Sequence, residues 1–292
     1  MPILLALLLC GAQVPAGPHG KDYWRDIAKA RFEVPVGESP GRLAPELAGY
    51  LGSTDPELRD DLAFTILAAW IYEKKSLGPD DLRPLVQALQ GSLVHGLTTP
   101  GTDAVFRRSF SALTLSIVAA RDNVTPFLSA PEYEALLDAA LAYFRDERDL
   151  RGFDPQKGWI HTAAHTADLL KFLARNPHLR PVDQSRILTA LLEKNRSAAS
   201  AFAQGEDERM ARVAISIARR DDFDRDAFRA WLTATQAAAV FPNPPAVASL
   251  RSYQNVRRLL ASLWTELSAD ERPSAGADFA RSALREVIKK LF

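Results

Sequence analysis

The chain has 292 residues, with 36 Lys or Arg against 36 Asp or Glu, so its formal net charge is zero; 47% of it is hydrophobic and 25% charged. Such a composition excludes a disordered chain, a collagen-like fibre and a polytopic membrane protein, and the missing basic excess argues against a general binder of DNA or RNA. The single cysteine, Cys10, excludes a disulfide framework and a cysteine-rich zinc site.

Residues 1–18 carry no charged side chain, and Ile3 to Cys10 is an unbroken apolar run. That run is too short for a bilayer span, which needs about 20 residues, and fits the core of a secretory signal, which has about 7–15. Ala12 or Ala16 offers a small residue before a cut, leaving Gln13 or Gly17 at the new terminus. Met1-Pro2 supplies no Lys or Arg, which departs from the usual signal. The expectation is a signal peptide over 1–18 and a secreted or periplasmic protein, the alternative being a cytoplasmic one. A lipid anchor at Cys10 is disfavoured, because Leu9 is large where a small residue would precede the modified cysteine.

From residue 20 onward apolar residues recur at helical spacing. Helices are predicted at 22–32, 43–51, 56–75, 80–94, 103–120, 131–145, 159–175, 182–202, 206–219, 224–239, 250–267 and 273–291. The third starts well, with Asp55 able to cap and Pro56 suited to the first helical position. No segment shows sustained strand alternation. About twelve helices on short turns predict an all-α fold of antiparallel helix pairs, an α-solenoid of HEAT-like type or an α/α array. The segments Asp55–Ala63 and Glu206–Ala214 resemble the start of a HEAT-type helix, although no fixed repeat period is visible. The sharpest break is the proline cluster at 242–245; residues 19–292 are read as a single domain, because helices on both sides have faces needing cover. Trp70, Trp231 and Trp264 are assigned to the core.

Chemistry concentrates in Gly158-Trp-Ile-His161-Thr-Ala-Ala-His165-Thr-Ala-Asp168-Leu-Leu170. At about 100° per residue, His161, His165 and Asp168 share one stripe of a helix, with Phe172 beside them. Trp159, Ala163, Ala167 and Leu170 fall on the opposite, apolar side. The stretch resembles the hallmark of an uncharacterised, mostly bacterial family of all-helical domains of unknown function, with a G-W-x-H-x-x-A-H-x-A-D-L-L core. The resemblance extends from about Arg59-Asp60-Asp61 through Phe106 to Leu113 and Asp149 to Gly152, as far as Glu208-Arg209. It implies a fold and no activity. Thr166 departs from the Gly expected there and adds bulk beside His165.

Three readings of the stripe are open. His161 and His165 have the i, i+4 spacing of a metal-binding pair, but Asp168 is too far along the axis for one ion to take all three, so another helix or loop would have to supply a ligand: Glu206, Glu208, Asp149 or Asp154. His165 and Asp168 could form an oriented acid/base couple, although no G-x-S-x-G supplies a nucleophile and Ser109 and Ser111 lack an elbow context. In the third, the side chains tie neighbouring helices and loops together. No nucleotide motif is present, so no cofactor is expected. Arg107-Arg108, Arg219-Arg220 and Arg257-Arg258 read as solvated or carboxylate-paired faces, and Asp221-Asp222-Phe223-Asp224 as half of a calcium loop. The resulting expectation is a non-catalytic helical-repeat module that binds a protein or peptide in a concave groove, with Trp159, His161, His165, Asp168, Arg151, Glu208 and Arg209 as candidate contacts. The alternative is a hydrolase or lyase using His161, His165 and Asp168.

Overall fold

A computed structural model describes residues 17–291. The cleavage sites after Ala12 and Ala16, the apolar run and Cys10 all precede residue 17, so those expectations lie outside the described residues. Among the described residues twelve helices form, as the periodicity predicts: α1 (Lys21–Lys29), α2 (Pro40–Tyr50), α3 (57–73), α4 (Pro79–Ser92), α5 (Ala104–Val124), α6 (Ala130–Asp146), α7 (Thr162–Leu173), α8 (Pro181–Ser197), α9 (Glu206–Ala218), α10 (Arg225–Ala238), α11 (Val247–Ala269) and α12 (Ala275–Leu291). The third is continuous but uneven, with wide π-type turns over Glu57–Phe64 and Ala69–Glu73 around an α-helical Thr65–Ala68. Asp55 caps its start by accepting from the Leu58 N–H at 3.3 Å. No described helix is long and apolar enough to cross a membrane.

Beyond α4 the helices alternate between two rows. The first contains α5, α7, α9 and α11, each packed on the next, and the second α6, α8, α10 and α12. The interface between rows is filled by one apolar cluster that runs from Trp24 to Val287. This is an all-α helical array, as expected. Trp70 and Trp231 lie in its core, while Trp264 is only half-buried against it.

Helix α7 occupies the middle of the first row, between α5 and α9 with α6 behind it. Every side chain from Thr162 to Leu170 is buried. The His161, His165 and Asp168 stripe is thus enclosed along with the apolar side, and α7 has no polar face turned to water. Ala163, Ala164 and Ala167 let its neighbours approach closely, and its polar side chains must find partners inside the protein.

The expected helix start at Trp159 is also displaced. A two-stranded antiparallel hairpin, β1 (Phe153–Asp154) and β2 (Gly158–Trp159), precedes α7. Its turn is closed by Asp154 Oδ1, which accepts from the Gln156 and Lys157 N–H groups at 2.9 and 2.8 Å. Two residues per strand are too few to leave an alternating pattern in the sequence.

Candidate functional site

The turns preceding α3, α5, α7 and α9 meet at one end of the molecule. Arg59, fully buried on α3, donates from Nη2 to the Lys157 carbonyl at 2.7 Å, and its guanidinium lies 4.2 Å from the Phe106 ring centre. Lys157 Nζ reaches the Asp103 carboxylate before α5 at 2.7 Å. Gly158 sits at φ +77°, where a Cβ would meet Pro56 Cβ at 3.0 Å and Arg59 Nη2 at 3.2 Å. At Gly152 a Cβ would meet only the end of the flexible Gln204 side chain, which can swing away. Gly158 therefore marks where the hairpin is pressed against α3.

His161 links the hairpin to α7. The Ile160 and His161 N–H groups continue the strand pairing, donating to the Gly152 and Arg151 carbonyls at 2.8 and 3.1 Å. His161 then adopts φ +53°, a left-handed conformation that costs a non-glycine residue about 1–2 kcal/mol and starts the helix. Its ring stacks on Trp159 at 4.8 Å between centres. Its Nε2–H donates to the Gln204 carbonyl at 2.9 Å, with Glu206 Oε1 3.8 Å away. Burial lowers its pKa, and the opposing attraction of Glu206 and the bond to Gln204 does not restore it.

His165 lies one turn on, its ring 5.7 Å from that of His161. The Ser109 hydroxyl has one proton and gives it to the Ile160 carbonyl. Its oxygen is then free to accept from His165 Nδ1–H at 2.8 Å. Ser109 is 0% exposed, so the serine–histidine pair is buried. Burial, reinforced by His161 and Arg209, holds the His165 imidazole well below its ordinary pKa.

Asp168 does not orient His165. Its Oδ1 accepts from Lys171 Nζ at 2.8 Å and its Oδ2 from Arg209 Nη1. The carboxylate thus ties α7 to α9. Arg151 forks onto Asp149, at 2.8 Å from Nε and 2.6 Å from Nη2, and reaches the Thr102 carbonyl at 3.1 Å. Burial acts to raise the Asp149 carboxyl, but the Arg151 fork and the Gly101 N–H prevail and hold it below the ordinary value. Glu208 points away from the histidines; it is exposed, 3.9 Å from Arg212. Trp159 stands on β2 outside the core, 42% exposed and edge-on to Phe153 at 5.1 Å. The apolar position expected for it holds only within a helix that starts three residues earlier than α7 does. Thr166 is absorbed by a bond from its hydroxyl to the Thr162 carbonyl at 2.7 Å. Among the described residues, no three His, Cys, Asp or Glu side chains gather to hold a metal ion.

Sequence reasoning missed the ion pair beneath this assembly. Arg108, 0% exposed, donates from Nε and Nη2 to Glu147 at 2.6 and 3.1 Å, and from Nη1 to the His95 carbonyl at 2.9 Å. Arg107-Arg108 alone gives no hint that one of the pair is sealed inside.

It also missed the opposite end of the first row. There the last turns of α7, α9 and α11 surround an open pocket of about 890 Å³. Five arginines line it: Arg175, Arg212, Arg219, Arg220 and Arg272. The Arg219-Arg220 pair and the aspartates after it are visible in the sequence. Their meeting with Arg175 and Arg272 depends on three helices ending side by side.

The chain belongs to the family described as Protein of unknown function (DUF2785), whose model matches residues 93–265. The matched region contains the histidine motif and excludes Arg59-Asp60-Asp61. No curated protein and no solved structure matches the chain.

Proposed function

We propose that the protein is an exported binding module, a solenoid of HEAT-like helix pairs that holds a protein or peptide segment against the concave face of its first row. One observation carries this reading: the motif's polar groups are engaged inside the fold, while the pocket at the other end of the row keeps unspent hydrogen-bonding capacity. His161 and His165 each brace a carbonyl, directly or through Ser109, and Asp168 is held by Arg209 and Lys171. A hydrolase or lyase using His161, His165 and Asp168 draws less support, because Ser109 is sealed and His165 and Asp168 have different partners. The apolar run Ile3 to Cys10 supports export, which N-terminal sequencing of the native protein tests; an intact Met1 on soluble cytosolic protein would refute it.

Site-specific photocrosslinking tests the binding face. A benzophenone residue at Arg212, in the first row, should yield an adduct of discrete mass in the native host. The same residue at Arg145, on the second row, should not. Adducts from Arg145 alone, or none from Arg212, would sink the reading.

A further inference from the structure

We propose that the pocket at the ends of α7, α9 and α11 receives a carboxylate side chain of an acidic peptide, with Arg175 as its main contact. The proposal rests on the binding-module reading and specifies what the first row recognises. The pocket carries five guanidiniums and four carboxylates. Of its five arginines, Arg212 pairs with Glu266 at 2.8 Å and Arg220 with Asp222 at 2.6 Å. Arg219 and Arg272 share Asp270, at 3.0 Å from each Nε. Asp221 completes the carboxylates on the lining, giving four against five guanidiniums.

Arg175 is the cation left over. Its Nε donates to the Ser216 hydroxyl at 3.0 Å, its guanidinium lies 5.2 Å from the Phe172 ring centre, and it has no ion pair among the described residues. The guanidinium is therefore held in place by a neutral contact and a ring, with its two Nη groups free to fork onto an acceptor. Partial desolvation, with repulsion from Arg272 and Arg219, works against its charge. An incoming anion would relieve that repulsion.

The same count selects the anion. One spare positive charge matches a monoanionic carboxylate, which a guanidinium binds through two parallel hydrogen bonds. A phosphate dianion would bring a second negative charge against Asp221, Asp222, Glu266 and Asp270. The pocket is also open and is lined by Arg212, Ile215 and Ser216 of the first row, so a peptide held along that row would bring its acidic residue to it. The arginines that cap helix ends, such as Arg220 on the Ala174 and Asn176 carbonyls at 3.0 and 2.8 Å, are already spent.

Selection from a phage-displayed heptapeptide library tests the proposal, with the intact protein as bait and the Arg175→Glu chain as counter-bait. Enriched peptides should share an Asp or Glu. Replacing that residue by Asn or Gln, or Arg175 by Ala, should each weaken binding at least tenfold in calorimetry. Arg175→Lys, which keeps the charge and loses the fork, should fall between, and Arg145→Glu should bind as wild type. Thermal melts confirm that each variant is folded. Neutral consensus peptides, no enrichment, or acidic peptides indifferent to Arg175 would overturn the assignment. So would inorganic phosphate that binds more tightly than the acidic peptides, which would make this a small-anion site. If crosslinks at Arg212 persist while acidic peptides fail, the carboxylate assignment falls and the binding module stands; without those crosslinks the module itself falls.

Discussion

The two ends of α7 use polar residues in opposite ways. At the start, Arg108, His161, His165 and Thr162 spend hydrogen bonds on carbonyls, on Glu147 or on Ser109, and Arg59 bonds the Lys157 carbonyl beside its ion pair with Asp60. At the end, Arg175 donates once to a serine and stops. A conspicuous motif is therefore not a functional site by virtue of its chemistry. Where the chain forms a hairpin and an irregular helix start, backbone groups are orphaned, and reactive-looking side chains are recruited to satisfy them. Where regular helices end together on the surface, side chains can be left with something to offer.

Substitutions should separate the two ends by the size of their effects on stability. The largest loss belongs to Glu147→Ala, which strips the sealed Arg108 of its carboxylate. Breaking a buried ion pair from one side costs about 3–5 kcal/mol, so the melting temperature should drop by many degrees. Ser109→Ala comes next. It orphans the His165 N–H and the Ile160 carbonyl, and denaturant unfolding should show a loss of about 1–3 kcal/mol. A silent Ser109→Ala would mean that the brace contributes nothing and would reopen the motif as a functional cluster.

Acid should act on the same end. Both histidines are held below 6.5 in the folded protein, so the unfolded chain binds more protons as pH falls through that value. Their stabilising contribution is present above 6.5 and is lost as pH falls toward their folded values. Asp60 opposes the trend. Burial raises its carboxyl to about 6, against the pull of Arg59, so acidification from neutrality favours the folded state through this group. Urea titrations between neutrality and pH 5 should show a shallower acid loss for His161→Asn, which tolerates the left-handed backbone, and a steeper one for Asp60→Asn. Equal slopes in all three chains would remove the protonation account of this end.

Trp159→Ala should cost only about 1 kcal/mol, from two ring contacts on a half-open strand. Arg175→Ala should stay within about 0.5 kcal/mol, as surface substitutions do. A loss of several kcal/mol at Arg175 would abolish the contrast between the ends.

The helices were legible because twelve segments keep an apolar period that any enclosing neighbour would satisfy. The histidine motif was legible as a cluster, but its orientation was not. Helical geometry placed Trp159 opposite His161 on the assumption that both belong to one helix. The backbone instead reverses at His161, driven by tertiary contacts to Arg151, Gly152 and Gln204. Nor does a local pattern distinguish Arg107 from Arg108, because the burial of Arg108 depends on Glu147, 39 residues away. The spare guanidinium of Arg175 emerges only after every other cation around the pocket has been matched with a carboxylate.

The left-handed backbone of His161 bears on how the family should vary. Such a conformation accepts glycine and asparagine more readily than most residues, whatever the ring is for. Relatives that dispense with the stack should therefore carry Gly or Asn at the position of His161, together with a non-aromatic residue at that of Trp159. Relatives that keep the ring should keep the indole. Paired substitution at these two positions would mark the histidine side chain as a partner of the hairpin, and independent drift would mark it as a tolerated occupant of a backbone bend.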